Sequence, residues 1–201
     1  VCGGLPAPEA NDNPFGYKFS WSPKGVLMAG KSAARYIEGG AVKEVSPDEL
    51  FHSTTSMTID GREFEAYPNR DSISYEDSYG FGNIEYLQRG TLRYPGWHEY
   101  ILAFKALNLL EERPIEAGEK SYANILADLN DLKPESIRME ISEKLNLAED
   151  SKVIQALEWL GLFDQEQIRF ENMMSIDLLA GLMSRKMAYG EGERDMVALQ
   201  H

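Results

Sequence analysis

Between Glu63 and Tyr67 the apolar residues Phe64 and Ala66 alternate with Glu63 and Glu65. That period of two is the mark of a strand with one face on a core and the other toward water. Asp60-Gly61 separates this run from Ser56–Ile59 and predicts a hairpin, and Gly39-Gly40 does the same between residues 35–37 and 41–45. A further strand is expected over Ile84–Tyr94. Before these, Gly3-Gly4, Pro6, Pro8 and Asn13-Pro14 break regular structure, and Ser22-Pro23 then starts a short helix through about Lys31, serine capping and proline leading. The first hundred residues thus read as mainly antiparallel sheet with one or two helices.

After Pro95 the period lengthens. Trp97, Ile101, Phe104 and Leu107 share one helical face; so do Ile137, Ile141 and Leu145, then Val153, Leu157 and Leu160. A fourth stripe, Ile176, Leu179, Met183 and Met187, ends at Tyr189-Gly190. All four are core stripes, and Met173, Met174 and Met183 belong to that packing rather than to a cofactor box. Asp195–His201 returns to strand character. The expected class is α+β: a mixed or antiparallel sheet with packed helices over residues 1–94 and 195–201, and an all-helical insertion over 95–194.

Charge and composition remove several functions. With 33 acidic against 20 basic residues the net charge is −13, and no basic stripe is present that could neutralise nucleic-acid phosphates. No apolar run approaches the roughly 20 residues of a membrane-spanning helix. The single cysteine, Cys2, rules out an internal disulfide framework and fits a reducing compartment, cytoplasm or mitochondrial matrix. Three scattered histidines and one cysteine have no metal-ligand spacing, so no metal is expected. The chain begins without Met, lacks a signal-peptide pattern and stops inside a strand-like run, which predicts a piece of a longer protein.

The candidate chemistry lies in arginines. Arg70 of AYPNRDS leaves a strand for a turn, with Asp71 beside it as the obvious ion-pair partner. In RGTLRY, a continuous strand would place Arg89 and Arg93 on one face and Gly90 and Leu92 on the other. A guanidinium fork suits carboxylate or phosphate; cross-strand pairing with sheet acids explains such arginines equally well. No GxxxxGK[ST] or GxGxxG is present, and no Ser-His-Asp or Cys-His pair can be assembled. From the residues alone the reading is an α+β domain with an arginine-lined pocket for a small carboxylate-bearing ligand.

Five stretches extend that reading. CGGLPAPEANDNPFGYKFSWSPKGVL, EAYPNRDS, RGTLRYPGW, EWLGLF and RDMVALQH resemble, in order and over nearly the whole chain, motifs of the glutamate-forming saccharopine dehydrogenase family. Carboxynorspermidine dehydrogenases lack the GGLPAPE and RGTLRY pattern. The resemblance implies the substrate-binding and dimerisation domain with its helical insertion, without the N-terminal Rossmann domain, and a homodimer. It implies an enzyme of lysine metabolism that oxidises saccharopine with NADP or NAD to an imine, hydrolysed to glutamate and 2-aminoadipate 6-semialdehyde. It places Arg70, Thr91, Leu92 and Arg93 on the substrate, Cys2 and Trp21 along the site, and Ser22 by the cofactor. It names no catalytic acid or base, and it gives Arg89 no role, which leaves that residue to ion pairing. A silent binding or dimerisation module on the same scaffold is the alternative.

Overall fold

The structure, a computed structural model, describes residues 2–198; the Cys2 side chain and the end of the predicted last strand, Leu199 to His201, lie outside the described residues. Strand β1 (Cys2–Pro6) pairs antiparallel with the returning segment Asp195–Ala198, Leu5 opposite Met196. In the loop that follows, Asn13 accepts a hydrogen bond from the Phe15 N–H and donates one to the Tyr17 carbonyl. This turn, of the kind asparagine makes with its own backbone, puts both rings into the core, where Phe15 meets Tyr100 and Phe104.

Helix α1 (Pro23–Ala29) starts as expected: Pro23 leads and Ser22 Oγ accepts from the Gly25 N–H at 3.2 Å. It stops two residues short of Lys31. The hairpins also form as expected. Strands β2 (Ala34–Glu38) and β3 (Ala41–Val45) meet across Gly39-Gly40, whose φ angles of +59° and +71° suit a two-residue turn that only such residues enter readily. Strands β4 (Thr55–Ile59) and β5 (Arg62–Pro68) meet across Asp60-Gly61. A short helix α2 (Ser74–Tyr79) follows.

The single strand expected over Ile84–Tyr94 is two. Strand β6 (Tyr86–Leu87) pairs with β2, and β7 (Gly90–Arg93) pairs with β5, so the chain changes sheets at Gln88-Arg89. Side chains and backbone hold that step: the Arg89 N–H donates to Ser72 Oγ at 2.8 Å, and its carbonyl accepts from the Asn69 N–H. Gly90 suits the close approach that follows, because a Cβ there would sit 3.2 Å from the Tyr67 carbonyl oxygen. The two three-stranded sheets, ordered β3-β2-β6 and β4-β5-β7, are antiparallel within themselves. A parallel bridge from Arg35 to Asp71 joins them.

Helices dominate the rest: α3 (Trp97–Ala106), α4 (Tyr122–Asn130), α5 (Ile137–Leu145), α6 (Lys152–Leu160) and α7 (Ser175–Lys186). The stretch expected to be all helical also carries four short strands. Among them β8 (Pro114–Ile115) and β9 (Gly118–Lys120) pair with β11 (Met173–Met174) and β10 (Ile168–Phe170) respectively. Trp97, Ile101, Phe104 and Leu107, like Ile176, Leu179, Met183 and Met187, are buried as their stripes predict. Helix α4 was not anticipated; Ser121 and Asn124 close a reciprocal cap at its start. α7 packs on α1, with Lys24 bonded to Asp177 at 2.6 Å.

A charged clamp ties the first loop to the segment before strand β12 (Asp195–Ala198). Lys18, 4% exposed, bonds Glu193 at 2.7 Å and Asp12 at 2.9 Å. Burial pushes the ammonium pKa down, but the hydrogen bonds to Glu193 and Asp12 outweigh it and leave the pKa above its ordinary value. The bond to Lys18, then the Gly190 N–H, holds the Glu193 carboxyl below its ordinary 4.5; the bond to Lys18 lowers Asp12 from 3.8. Depressed acid values add stability that is present above those ordinary values and lost as pH falls through the folded ones. The raised lysine adds stability that is present below 10.5 and lost as pH rises further. Denaturant titrations should therefore show Glu193→Gln less stable than the parent by a constant margin from about pH 5.5 to 9.5. The margin should shrink as pH drops below about 4.5; a margin unchanged at pH 3 would show that the clamp does not contribute.

Candidate functional site

Strand β7 places Thr91 and Arg93 on one face and Gly90 and Leu92 on the other. Arg93 is 7% exposed, and its cross-strand neighbour on β5 is Glu65. A cross-strand ion pair would join the two, but the carboxylate is committed elsewhere. It accepts from the backbone N–H groups of Gly96 at 2.9 Å and His98 at 2.7 Å, and it bonds His98 Nδ1 at 2.7 Å. Glu65 thus caps helix α3, where exposed N–H groups and the helix dipole favour an anion.

Arg93 is left without a carboxylate partner among the described residues. Its Nη1 donates to the Leu92 carbonyl at 2.8 Å, while Nε is buried with no acceptor. Two aromatic rings take up the charge instead: the guanidinium carbon stands 4.7 Å from the Tyr17 ring centre and 5.5 Å from that of Trp97. Tyr67, on the same side of the neighbouring strand, supplies no anion. Burial pushes its phenol pKa above the ordinary value, against the pull of the Arg93 charge, so it stays neutral. A buried cation with unfilled donors and no counter-ion is suited to receive an anion from outside.

The other predicted residues sit as follows. Thr91 Oγ1 accepts from Asn69 Nδ2 at 2.9 Å, fastening β7 to the turn that carries Arg70. Arg70 itself is exposed, in the left-handed region at φ +60°, and its guanidinium has no ion pair among the described residues. Asp71 does not serve it: that carboxylate meets Arg35 Nη1 at 3.3 Å and accepts from the Ile73 N–H. Leu92 presents its carbonyl to Arg93, while its side chain lies on the opposite face of the sheet. Trp21, 58% exposed, donates from Nε1 to the Tyr17 hydroxyl at 3.3 Å and so adjoins the Arg93 cluster. Ser22 is the α1 cap. Of Cys2 only the backbone position at the start of β1 is described.

The expectation that Arg89 and Arg93 share a face fails, because the change of sheet falls between them. Arg89 lines an outward cleft of about 510 Å³ with Gly90, Leu92, Met57 and Ile59. Nor does Arg89 make the ion pair expected of it among the described residues. Tyr17 and Trp97, whose rings lie against Arg93, were not among the expected site residues. Trp97 reads as one more member of a core stripe, and Tyr17 carries no signal except its place inside the long FGYKFSWS motif.

If Glu65 and Arg93 formed a pair, removing either would strand the other in the interior. The geometry assigns them opposite outcomes. Glu65→Gln should cost about 1–3 kcal/mol, by turning a donor against the α3 N–H groups. Arg93→Met should be neutral or stabilising by up to about 2 kcal/mol. Urea unfolding of both variants checks this, and comparable losses in both would restore the ion pair.

The profile of the saccharopine dehydrogenase C-terminal domain family matches residues 1–201. The chain is 37% identical to a saccharopine dehydrogenase [NADP(+), L-glutamate-forming] of Pyricularia oryzae, over 100% of this chain and 46% of that protein. It is 38% identical to the mitochondrial alpha-aminoadipic semialdehyde synthase of Bos taurus, over 99% of this chain and 22% of that one. The apo saccharopine dehydrogenase (L-Glu forming) from Saccharomyces cerevisiae superposes with a TM-score of 0.85 at 33% identity, covering 95% of this chain and 45% of that one. The chain thus spans less than half the length of these relatives. Matched over its whole length by that profile, it belongs to the saccharopine dehydrogenase C-terminal domain family.

Proposed function

We propose that this chain is the substrate-binding part of an NADP- or NAD-dependent oxidoreductase of lysine metabolism. The whole enzyme converts saccharopine to glutamate and 2-aminoadipate 6-semialdehyde. The observation that carries the reading is the Arg93 guanidinium: buried, charged, and without a counter-ion among the described residues. Saccharopine has three carboxylates, and Arg93 with Arg70, which has no ion pair among the described residues, supplies two forked cations for them. Thr91, bonded to Asn69, and the Leu92 carbonyl set the β7 segment between those cations; Cys2 and Trp21 lie along the same site. Orientation of this kind is worth several orders of magnitude in rate, because it removes the entropy of finding a reactive geometry.

The nucleotide supplies the hydride acceptor when bound. These residues do not form its main cradle, since the chain has no GxGxxG. Ser22 is the one residue proposed beside it, and its Oγ already serves the α1 N–H groups. The phosphates therefore rest on a Rossmann domain elsewhere in the protein. The NADP(+) in the names of the fungal relatives favours NADP over NAD. Residues 1–94 with 195–201 form the substrate and dimerisation domain and 95–194 the inserted domain of a homodimer. The cytoplasm or the mitochondrial matrix would suit it, the bovine relative being named mitochondrial.

The test uses the full-length protein with saccharopine and each nucleotide, following reduced-cofactor absorbance. Reduction is expected, with kcat/KM lowered at least roughly 30-fold by Arg93→Ala or Arg70→Ala, as for other truncated charge pairs in desolvated sites. Folded protein that reduces neither nucleotide would instead make this a silent binding or dimerisation module.

A further inference from the structure

Nothing in an ordinary strand environment would hold Arg93 in one place. Its side chain has four rotatable bonds, its acid neighbour is spent on helix α3, and its one side-chain hydrogen bond among the described residues runs to its own preceding carbonyl. Yet three centres define its position. The guanidinium carbon, the Tyr17 ring and the Trp97 ring form a nearly equilateral triangle, with sides of 4.7, 5.5 and 5.0 Å. The charge therefore lies in the angle between two tilted rings, not sandwiched by them. Rings attract a cation through their π faces without occupying its N–H groups. An acid in the same place would compete with any incoming carboxylate.

We infer that Tyr17 and Trp97 are positioning residues, which hold Arg93 by its charge so that its donors stay available to a substrate carboxylate. The inference rests on the substrate reading above. Both rings are well anchored for the task. Tyr17 is 1% exposed, stacks edge-on to Phe19 at 4.9 Å and receives the Trp21 indole hydrogen bond. Trp97 opens helix α3, whose first turn Glu65 secures. One carboxylate thus fixes the helix carrying half the cage, and by the same bonds is kept away from the cation.

Truncating a buried ring could unfold the protein, so the test changes its electrons and keeps its shape. In the full-length protein Tyr17 is replaced by phenylalanine and then by phenylalanine carrying one, three and five ring fluorines, which progressively cancel the π-face attraction. Saccharopine affinity is measured by calorimetry, with thermal midpoints as a check on folding. Phenylalanine should bind within about threefold of tyrosine, and affinity should then fall stepwise, by roughly fivefold to thirtyfold at five fluorines. In an Arg93→Ala background the same series should be flat. Binding indifferent to fluorine, or a decline equally steep without Arg93, would overturn the inference and leave the substrate reading standing. Failure of the unmodified protein to bind saccharopine would overturn that reading and this inference with it.

Discussion

Glu65 can satisfy one set of donors, and the fold gives it to helix α3. Three hydrogen bonds from Gly96 and His98 join the middle of β5 to the first helix after the sheet. That attachment sets the angle at which α3 leaves the sheet, and so where Trp97, Ile101 and Phe104 enter the core. It also withholds from Arg93 the one acid that the strand register places opposite it. A structural cap and an arginine left without that acid are thus two results of a single allocation. The two rings offset part of the cost of burying that charge.

Much of the architecture can be read from the chain because local signals and tertiary packing agree there. Gly39-Gly40 and Asp60-Gly61 are among the few pairs that readily enter the positive-φ turns seen, Ser22-Pro23 starts a helix by covalent geometry and capping, and four apolar stripes lie where the core is. Other elements depend on contacts no local pattern contains. Residues 84–94 look like one strand because nothing in their alternation records that Ser72 and Asn69, from a distant turn, bend the chain at Arg89. Helix α4, by contrast, does carry a local signal, Ser121 and Asn124 closing a reciprocal cap just before Ile125, Leu126 and Leu129, and so was legible though not anticipated.

The site was legible to a different degree. Forked cations in an acidic chain are conspicuous, which is why Arg70 and Arg93 stand out as candidates. Their partners do not. Asp71, next to Arg70 in sequence, turns to Arg35 across the bridge between sheets, and Glu65 turns to the helix. Adjacency in sequence poorly predicts which charges meet, because side-chain direction is set by strand alternation and by competition from backbone N–H groups. Tyr17 and Trp97 were legible as apolar mass only; their second role depends on where a guanidinium comes to rest between them.

The pairing of β1 with the final strand also bears on the order of assembly. Cys2 faces Ala198, and Lys18 reaches Glu193 across 175 residues of chain. Contacts so distant in sequence close a very long loop, and its entropy cost must be met before they return any stability. The hairpins β2–β3 and β4–β5 need no such closure and can form early, carrying Arg93's neighbours with them. Tyr17 lies in the loop that the long-range closure ties down. The ring beside the arginine thus sits next to Lys18, the residue through which that closure is made, so the clamp and the arginine's surroundings share one short stretch of chain.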